Sequence, residues 1–342
     1  MPRNRKIGRI KLVLALLLLG ASAALVLYWQ SYLSFANRGL PLSDQERVLN
    51  VDRGDGFDEV LAKIRALGIT QGSDLDWKTL AITMHAVSHL QVGEYAITPG
   101  LSPRKLIRHM REGVVIQHPF TIVEGWNIRD LRTALGQDTH LVHKIDRMND
   151  AELMDKLDRA GVFAEGRFLP ETYNFTRGRS DLDILGRAAD AMDKTLAEVW
   201  RERDKNLPLQ TPQQLLTLAS IVEKETGKSN ERPLIAGVFV RRMKIGMRLQ
   251  TDPTVIYGMG SAYDGNIRKA DLLTDTPYNT YTRDGLPPTP IAMPGREALL
   301  AAAHPAAGDA LYFVARSNGG PSVFSATLAE HNAAVEKYQL KR

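Results

Sequence analysis

The feature that most constrains this chain is an uninterrupted apolar run near its N-terminus. Residues 12–29 contain no charged side chain and are dominated by leucine, alanine and valine. About 20 apolar residues in a helix are enough to cross the hydrocarbon core of a bilayer. The run therefore predicts a single transmembrane helix over residues 12–29, with most of the chain on the far side of it.

The charge of the chain is concentrated before this run. Residues 1–11 carry five positive charges and no acid, whereas the whole chain has a formal net charge of +5, so the remainder is formally neutral. Under the positive-inside rule, residues 1–11 lie in the cytoplasm as a short tail and the folded part lies outside. A neutral folded part also argues against nucleic acid as a partner.

A cleaved signal peptide is the alternative explanation of the apolar run. Ala21-Ser-Ala23 fits the small-residue pattern of a cleavage site. However, the run continues past that point and exceeds the roughly 7 to 15 residues of a signal-peptide core. We therefore favour an uncleaved anchor in the inner membrane.

The hydrophobic patterning of the rest predicts an α+β protein with two folded parts. Polar residues 30–45 read as a linker, and residues 46–116 read as a small α+β subdomain. In the subdomain, residues 57–68, 77–90 and 102–113 have helical spacing, and residues 92–97 alternate like a strand. Residues 117–342 form a larger mixed α/β domain, in which residues 248–295 are dense in loop-forming residues.

One predicted helix places a carboxylate beside an apolar face. Residues 215–222 have apolar side chains at helical spacing, and Glu223 and Glu225 follow them. At about 100° per residue, Glu225 lies next to Leu218 and Ile221, whereas Glu223 is rotated towards the flank. Partial desolvation raises a carboxyl pKa, as a general acid requires. The alternative is that both glutamates lie on a solvated helix surface.

The sequence gives little support for a metal or cofactor site. It contains no cysteine, which excludes disulfides, thiolate zinc sites and cysteine nucleophiles. His85 and His89 have a spacing that can bind zinc, but Ala86 stands where the H-E-x-x-H pattern has its glutamate. We therefore expect neither a metal nor a cofactor.

Several motifs in order along the chain resemble the endolytic murein transglycosylase family (MltG, YceG-like). The motifs are Leu218-Ala-Ser-Ile-Val-Glu-Lys-Glu-Thr226, Arg248-Leu-Gln-Thr-Asp-Pro-Thr-Val-Ile-Tyr-Gly258, Tyr278-Asn-Thr-Tyr281, Gly285-Leu-Pro-Pro288 and Ala303-His-Pro305. The resemblance implies a periplasmic location, with a LysM-like subdomain at residues 46–116 and a catalytic domain at residues 117–342. It also implies lytic cleavage between N-acetylmuramic acid and N-acetylglucosamine, which leaves a 1,6-anhydromuramoyl end.

The resemblance also assigns roles. The family's catalytic glutamate falls on Glu225, although an alignment slip of two residues would transfer the role to Glu223. The implied partners are peptidoglycan glycan strands and, among proteins, peptidoglycan synthases.

Five polar side chains in the matching loops are our candidates for positioning the substrate, namely Gln250, Asp252, Tyr257, Asn279 and Tyr281. The alternative is that these side chains only stabilise the fold, because residues 251–254 fit the composition of a turn or helix cap and the tyrosines can pack in the interior. Glu171 and Tyr173 are weaker candidates of the same kind.

Two other functions fit the same residues. A muramidase would hydrolyse the same bond and use Asp252 as a second carboxylate. A non-catalytic scaffold would use the LysM-like subdomain to hold glycan. Only the lytic reaction needs a single acid, because the 6-hydroxyl of the sugar serves as its nucleophile.

Overall fold

The structure, a computed structural model, describes residues 3–42, 46–317 and 319–340, with the backbone alone for residues 3–10. The chain divides into two compact units, Met1–His118 and Pro119–Arg342.

The first unit begins with a long helix, α1 (Arg3–Asn37). Its part from Lys11 to Asn37 is the one stretch of the described chain that is long and apolar enough to cross a membrane. Residues 30–37, predicted as the start of a linker, continue this helix. They do so because Tyr32, Phe35 and Ala36 are buried in the core of the first unit. Residues 43–45 of the predicted linker lie outside the described residues.

The remainder of the first unit is a two-stranded antiparallel sheet with three helices. Its elements are β1 (Arg47–Val51), α2 (Phe57–Ala66), α3 (Asp74–Thr83), β2 (Gly93–Ile97) and α4 (Pro103–Glu112). As predicted, α4 begins at the Ser102 cap and ends at Gly113, whose φ of +71° suits glycine. Helix α3 is shorter than the helix predicted over residues 77–90. It ends at Thr83, and His85 follows with a φ of +52°, so His85 and His89 do not share a helix.

In its described residues the second unit is mainly helical and contains two small two-stranded sheets. Its elements are β3 (His118–Thr121), α5 (Ile128–Gln137), α6 (Asp150–Lys156), β4 (Thr172–Phe175), α7 (Asp181–Glu202), α8 (Pro212–Glu225), α9 (Arg232–Lys244), α10 (Asp252–Met259), α11 (Lys269–Leu273), α12 (Arg296–Ala303), β5 (Tyr312–Val314), β6 (Val323–Ser325) and α13 (Leu328–Val335).

Helix α8 is the centre of the main core of this unit. Thr211 caps its first turn by accepting the Gln214 amide at 3.2 Å, and Pro212 occupies the first helical position, as the sequence predicted. Every residue from Leu215 to Glu223 is buried, and the core around them includes side chains of α7, α9 and α12. A helix that is apolar on nearly all sides has to be enclosed in this way. The enclosure fixes the position of the last turn, which carries Glu225.

The segment predicted as loops, residues 248–295, contains two short α-helices and a single 3₁₀ turn, Gly260–Ala262. Helix α10 starts at Asp252 and has Pro253 in its first turn, and α11 spans Lys269–Leu273. Residues 251–254, interpreted as turn and cap chemistry, therefore form the start of a helix, with Thr251 at the cap position.

Candidate active site

Glu225 lies at the C-terminal end of α8, where the buried helix reaches a cleft. Its side chain is half-buried, and the two preceding apolar residues, Ile221 and Val222, are fully buried. The helix stops there because Thr226 adopts an extended conformation. The sequence-based expectation that Glu225 adjoins the apolar face agrees with this position.

A threonine cluster holds the carboxyl group of Glu225. Thr251 is buried, and its hydroxyl donates a short hydrogen bond to Glu225 Oε1. The Thr251 amide in turn donates to Thr280 Oγ1 at 3.1 Å, and the Thr254 hydroxyl donates to the Thr251 carbonyl at 2.7 Å. The carboxyl group is therefore positioned by a residue whose backbone is held at both its amide and its carbonyl.

The backbone beside this cluster is strained. Gln250 has a φ of +48°, in the left-handed region that few residues other than glycine adopt. Its amide donates to the Thr280 carbonyl at 3.1 Å, which holds the strained conformation. Strain of this kind is frequent at functional sites.

Burial raises the pKa of Glu225 to about 7. The hydrogen bond from Thr251 and the charge of Arg242 lower this pKa, whereas the charge of Asp252 raises it. A carboxyl group with this pKa is protonated in about half of the molecules at neutral pH, so it can both donate and accept a proton there.

Glu223, the alternative catalytic residue, is tied into the protein interior. Its Oε1 accepts a hydrogen bond from Arg232 Nη2 at 2.8 Å, and its Oε2 accepts one from the Gly295 amide at 2.9 Å. Arg232 also contacts Glu124 at 3.3 Å. Both oxygens of Glu223 are thus occupied by a buried ion pair and a backbone amide, and the side chain does not line the cleft. The geometry favours Glu225.

The cleft at Glu225 has a volume of about 560 Å³ and contains three of the five polar residues selected from the sequence. These are Gln250, Asp252 and Tyr281. The Tyr281 hydroxyl donates to Asp252 Oδ1 at 2.6 Å, which fixes the second carboxylate of the cleft.

The other two selected residues lie elsewhere. Asn279 is fully buried; its Nδ2 donates to the carbonyl of Thr274 at 2.7 Å, and its Oδ1 accepts the Tyr281 amide at 2.8 Å. Asn279 therefore holds its loop together. The Tyr257 hydroxyl donates to Glu165 Oε2 at 2.9 Å in a different cavity.

The weaker candidates Glu171 and Tyr173 also lie away from the residues that line the cleft. Tyr173 is buried and its hydroxyl donates to the Leu169 carbonyl at 2.8 Å, which is the structural role that the sequence left open for it.

Sequence reasoning did not select Arg242, Tyr312 and His331, which also line the cleft. The guanidinium group of Arg242 lies 5.2 Å from the centre of the Tyr312 ring, and the His331 ring stacks on that ring at 5.3 Å. Arg242 is fixed by the carbonyl oxygens of Leu311 at 2.7 Å and Leu249 at 2.5 Å. These residues come from α9, β5 and α13, so only the fold brings them together.

One group of side chains in the described chain has a geometry that could offer ligands to a metal ion. It consists of His143, Asp146 and Asp181, whose donor atoms lie within 4.8 Å of one another. Asp181 Oδ1 already accepts the amides of Lys144 at 3.0 Å and Leu182 at 2.7 Å, and its Oδ2 accepts the Ile145 amide at 3.3 Å. This explains why Asp181 is buried without invoking a metal.

Comparisons with known proteins agree with the family resemblance of the motifs. A family model, described as the YceG-like family, matches residues 49–337. A Bacillus subtilis (strain 168) protein named endolytic murein transglycosylase is 34% identical over 268 residues, which cover 73% of this chain and 74% of that protein. A Streptococcus pneumoniae (serotype 2, strain D39) protein of the same name is 33% identical over 282 residues. That match covers 73% of this chain but only 51% of the relative.

A solved structure shows the same relationship. The crystal structure of a YceG-like protein from Listeria monocytogenes is 27% identical and matches with a TM-score of 0.54, over 85% of this chain and 100% of that one. The family model spans most of the chain, and the Bacillus relative exceeds 30% identity over most of its own length. The chain therefore belongs to the YceG-like family.

Proposed function

We propose that this protein is an endolytic lytic transglycosylase of peptidoglycan, with Glu225 as its catalytic acid and base. The bond cleaved is the β-1,4 linkage between N-acetylmuramic acid and N-acetylglucosamine in nascent strands. The product carries a 1,6-anhydromuramoyl end, and cleavage terminates strand elongation. The names of the Bacillus and Streptococcus relatives support this reaction class.

The observation that carries the proposal is the environment of Glu225. Its carboxyl group opens into a cleft, is held by Thr251, and has a pKa raised to about 7 by burial. A protonated Glu225 donates its proton to the glycosidic oxygen as the bond breaks. The resulting carboxylate then removes the proton of the muramoyl 6-hydroxyl as that oxygen bonds to C1. One residue thus serves both half-reactions, and no water is consumed.

Asp252 supports the chemistry from the same cleft. Its carboxylate is oriented by Tyr281, and its negative charge favours the protonated form of Glu225. A negative charge also stabilises the oxocarbenium-like centre that develops when the glycosidic bond breaks.

The first unit fits a tethering role. Helix α1 anchors the chain in the inner membrane with the catalytic unit in the periplasm, close to strands that emerge from the bilayer. The antiparallel β1–β2 pair with α2 and α3 between the strands supports a LysM-like, glycan-binding subdomain. Peptidoglycan synthases are the protein partners that such a location implies.

The test is the mass of the products. Full-length protein in detergent is incubated with purified peptidoglycan, and the soluble fragments are analysed by mass spectrometry. The expected fragments carry anhydromuramoyl ends and are lighter by one water than hydrolysis products. Products that carry only reducing ends would overturn the lytic reaction.

Muramidase activity is the second candidate, because Asp252 shares the cleft with Glu225. A hydrolase that uses Asp252 to activate water, or as its nucleophile, would lose nearly all activity in Asp252→Asn. The lytic enzyme would keep a measurable rate of anhydro product in this variant, because its nucleophile comes from the substrate.

A further inference from the structure

Arg242 supplies the one permanent positive charge among the described residues that line the cleft at Glu225. It lies on α9, and only 7% of its surface is exposed. A guanidinium group in a protein does not lose its proton, so this charge is present at every pH at which the chain is folded. A buried charge is costly unless it is hydrogen-bonded, so the partners of its N–H groups matter.

Two nitrogen atoms of this guanidinium group are held by the backbone. Nε donates to the Leu311 carbonyl at 2.7 Å, and Nη1 donates to the Leu249 carbonyl at 2.5 Å. Nη2 donates to no group in the part of the chain that the structure describes, and it is not one of the buried side-chain atoms that lack a partner there. Nη2 is therefore open to the cleft, and the two bonds of the planar group fix its direction.

The other donors of the cleft are used within the protein or are less fixed. Four of them already donate to protein oxygens, namely the side chains of Thr251, Tyr281, Ser322 and Gln339. The Gln250 side chain is exposed, so ordering it on a ligand costs side-chain entropy. His331 Nδ1 is fully buried. Arg242 thus offers a charged donor that is both fixed in direction and open.

Glu225 is exposed to charges of opposite sign from two helices. The charge of Arg242 on α9 lowers the pKa of Glu225, and the charge of Asp252 on α10 raises it. A sugar bound beside Glu225 therefore meets a cation from one helix and an anion from the other. A substituent that carries an acceptor oxygen is attracted towards Arg242, whereas a developing positive charge is attracted towards Asp252.

The two sugars of the proposed substrate differ in one substituent. N-acetylmuramic acid carries a lactyl ether on O3, where N-acetylglucosamine has a free hydroxyl, and the acetamido groups and β-1,4 links are the same in both. Cleavage on the muramoyl side alone therefore requires that the lactyl group be recognised. Its carbonyl oxygen accepts hydrogen bonds, whether it belongs to a free carboxylate or to the amide of a peptide stem.

We propose that Arg242 recognises the lactyl group, with Nη2 donating to the lactyl carbonyl oxygen of the sugar bound next to Glu225. The contact places N-acetylmuramic acid, and not N-acetylglucosamine, where the 1,6-anhydro ring forms. Strands with and without peptide stems both present the acceptor. The identity of the sugar rests on the proposed function, whereas the open and fixed cation is a property of the cleft itself.

A comparison of two tetrasaccharides is the first test. One is the alternating tetramer of N-acetylglucosamine and N-acetylmuramic acid, and the other is the tetramer of N-acetylglucosamine, which has no lactyl group. Each is titrated calorimetrically into full-length protein that carries Glu225→Gln, so that no cleavage occurs and Arg242 cannot act through the pKa of Glu225. We expect the lactyl-bearing tetramer to bind at least about tenfold more tightly, as for one hydrogen bond to a charged group.

Arg242→Gln in the same protein tests the residue, and Arg241→Gln is the matched control. Arg241 also donates to two backbone carbonyls, those of Ala310 at 2.7 Å and Ala306 at 3.0 Å, but it does not line the cleft. Both substitutions thus remove similar backbone contacts, and only Arg242→Gln removes a donor from the cleft. We expect Arg242→Gln to bring the affinity ratio of the two tetramers close to one and Arg241→Gln to leave it unchanged. Thermal unfolding of each variant checks that it is folded.

The outcomes separate the two proposals. Equal affinity for the two tetramers with Arg242 intact would overturn the inference, even if Arg242→Gln does not fold and even if the parent makes anhydro product. An unchanged affinity ratio in folded Arg242→Gln would overturn it as well. A ratio that depends on Arg242, in a protein whose parent makes no anhydro product, would retain the inference and reject the transglycosylase.

Discussion

The hydroxyl of Thr251 donates to Glu225 Oε1, although Thr251 occupies the cap position of α10, where a threonine hydroxyl ordinarily accepts a hydrogen bond from the first turn. The cap position is thus used to hold the carboxyl group at the end of α8. Two of the motifs that carry the family resemblance, residues 218–226 and 248–258, meet at this hydrogen bond.

Replacing Thr251 by valine should change the pH dependence of cleavage. The hydrogen bond from Thr251 lowers the pKa of Glu225, so its loss should raise that pKa further and shift the alkaline limb of the rate profile to higher pH. The rate should also fall, by about tenfold, because the carboxyl group loses its positioning contact. Thr251→Ser keeps the hydroxyl and is the control; a profile of Thr251→Val that coincides with that of Thr251→Ser would contradict the role.

Glutamine substitutions at the two neighbouring glutamates should affect different properties, the cleavage rate at Glu225 and the stability of the fold at Glu223. Glu225→Gln should reduce the cleavage rate by at least about a hundredfold without loss of stability, since it removes the acid and base. Glu223→Gln leaves the buried guanidinium of Arg232 with only the half-exposed Glu124 as a charge partner and should lower the free energy of unfolding by about 1 to 3 kcal/mol. Product yield per folded molecule and thermal unfolding measure both effects. A stable but inactive Glu223→Gln would transfer the role to Glu223.

Stability should fall as pH rises from 4.5 to 7, and Glu225 should account for part of the fall. Its pKa rises from 4.5 to about 7 on folding, so in this window the folded chain binds more protons than the unfolded chain. Glu225→Gln should therefore be more stable than the parent above pH 7, by about 2 kcal/mol, and the difference should shrink towards pH 4.5. Denaturant unfolding across this range measures it.

The same coupling between a raised carboxyl pKa and a loss of stability with rising pH applies separately to Glu165, whose pKa is also raised to about 7. Glu165→Gln should thus remove a second part of the pH dependence of stability. Parallel stability curves of the parent and Glu225→Gln over the whole pH range would contradict the raised pKa of Glu225.

We expect Asn279 to stabilise its own loop. Asn279→Ala leaves the Thr274 carbonyl and the Tyr281 amide without their partner and should cost about 1 to 3 kcal/mol of stability. Amide hydrogen exchange should rise in residues 271–282 in particular. The exposed Asn266→Ala is the control; unchanged exchange in Asn279→Ala would show that the loop does not depend on this side chain.

The sequence was informative where local patterns decide the structure. The cap and proline at Thr211 and Pro212, the glycine at the end of α4, and the apolar faces of the long helices are properties of short segments. The position of Glu225 next to the buried part of α8 follows from the same helical periodicity.

What the sequence could not show depends on contacts between distant segments. Asn279 and Tyr257 carry polar groups in the matching motifs, but whether such groups face the cleft depends on the packing of α10 and its loop. Arg242 and His331 are separated from Glu225 by many residues, and their adjacency to it arises from tertiary structure alone. The continuation of α1 beyond Trp29 likewise depends on a core that a polar-looking segment does not reveal.

That continuation has a mechanical consequence. Tyr32 is buried in the first unit only three residues after Trp29, the end of the predicted span, a distance of about 4.5 Å along the helix axis. If residues 12–29 span a bilayer as proposed, no flexible segment separates that span from the folded part of the first unit. Rotation or tilt of the helix in the lipid would then turn the first unit with it.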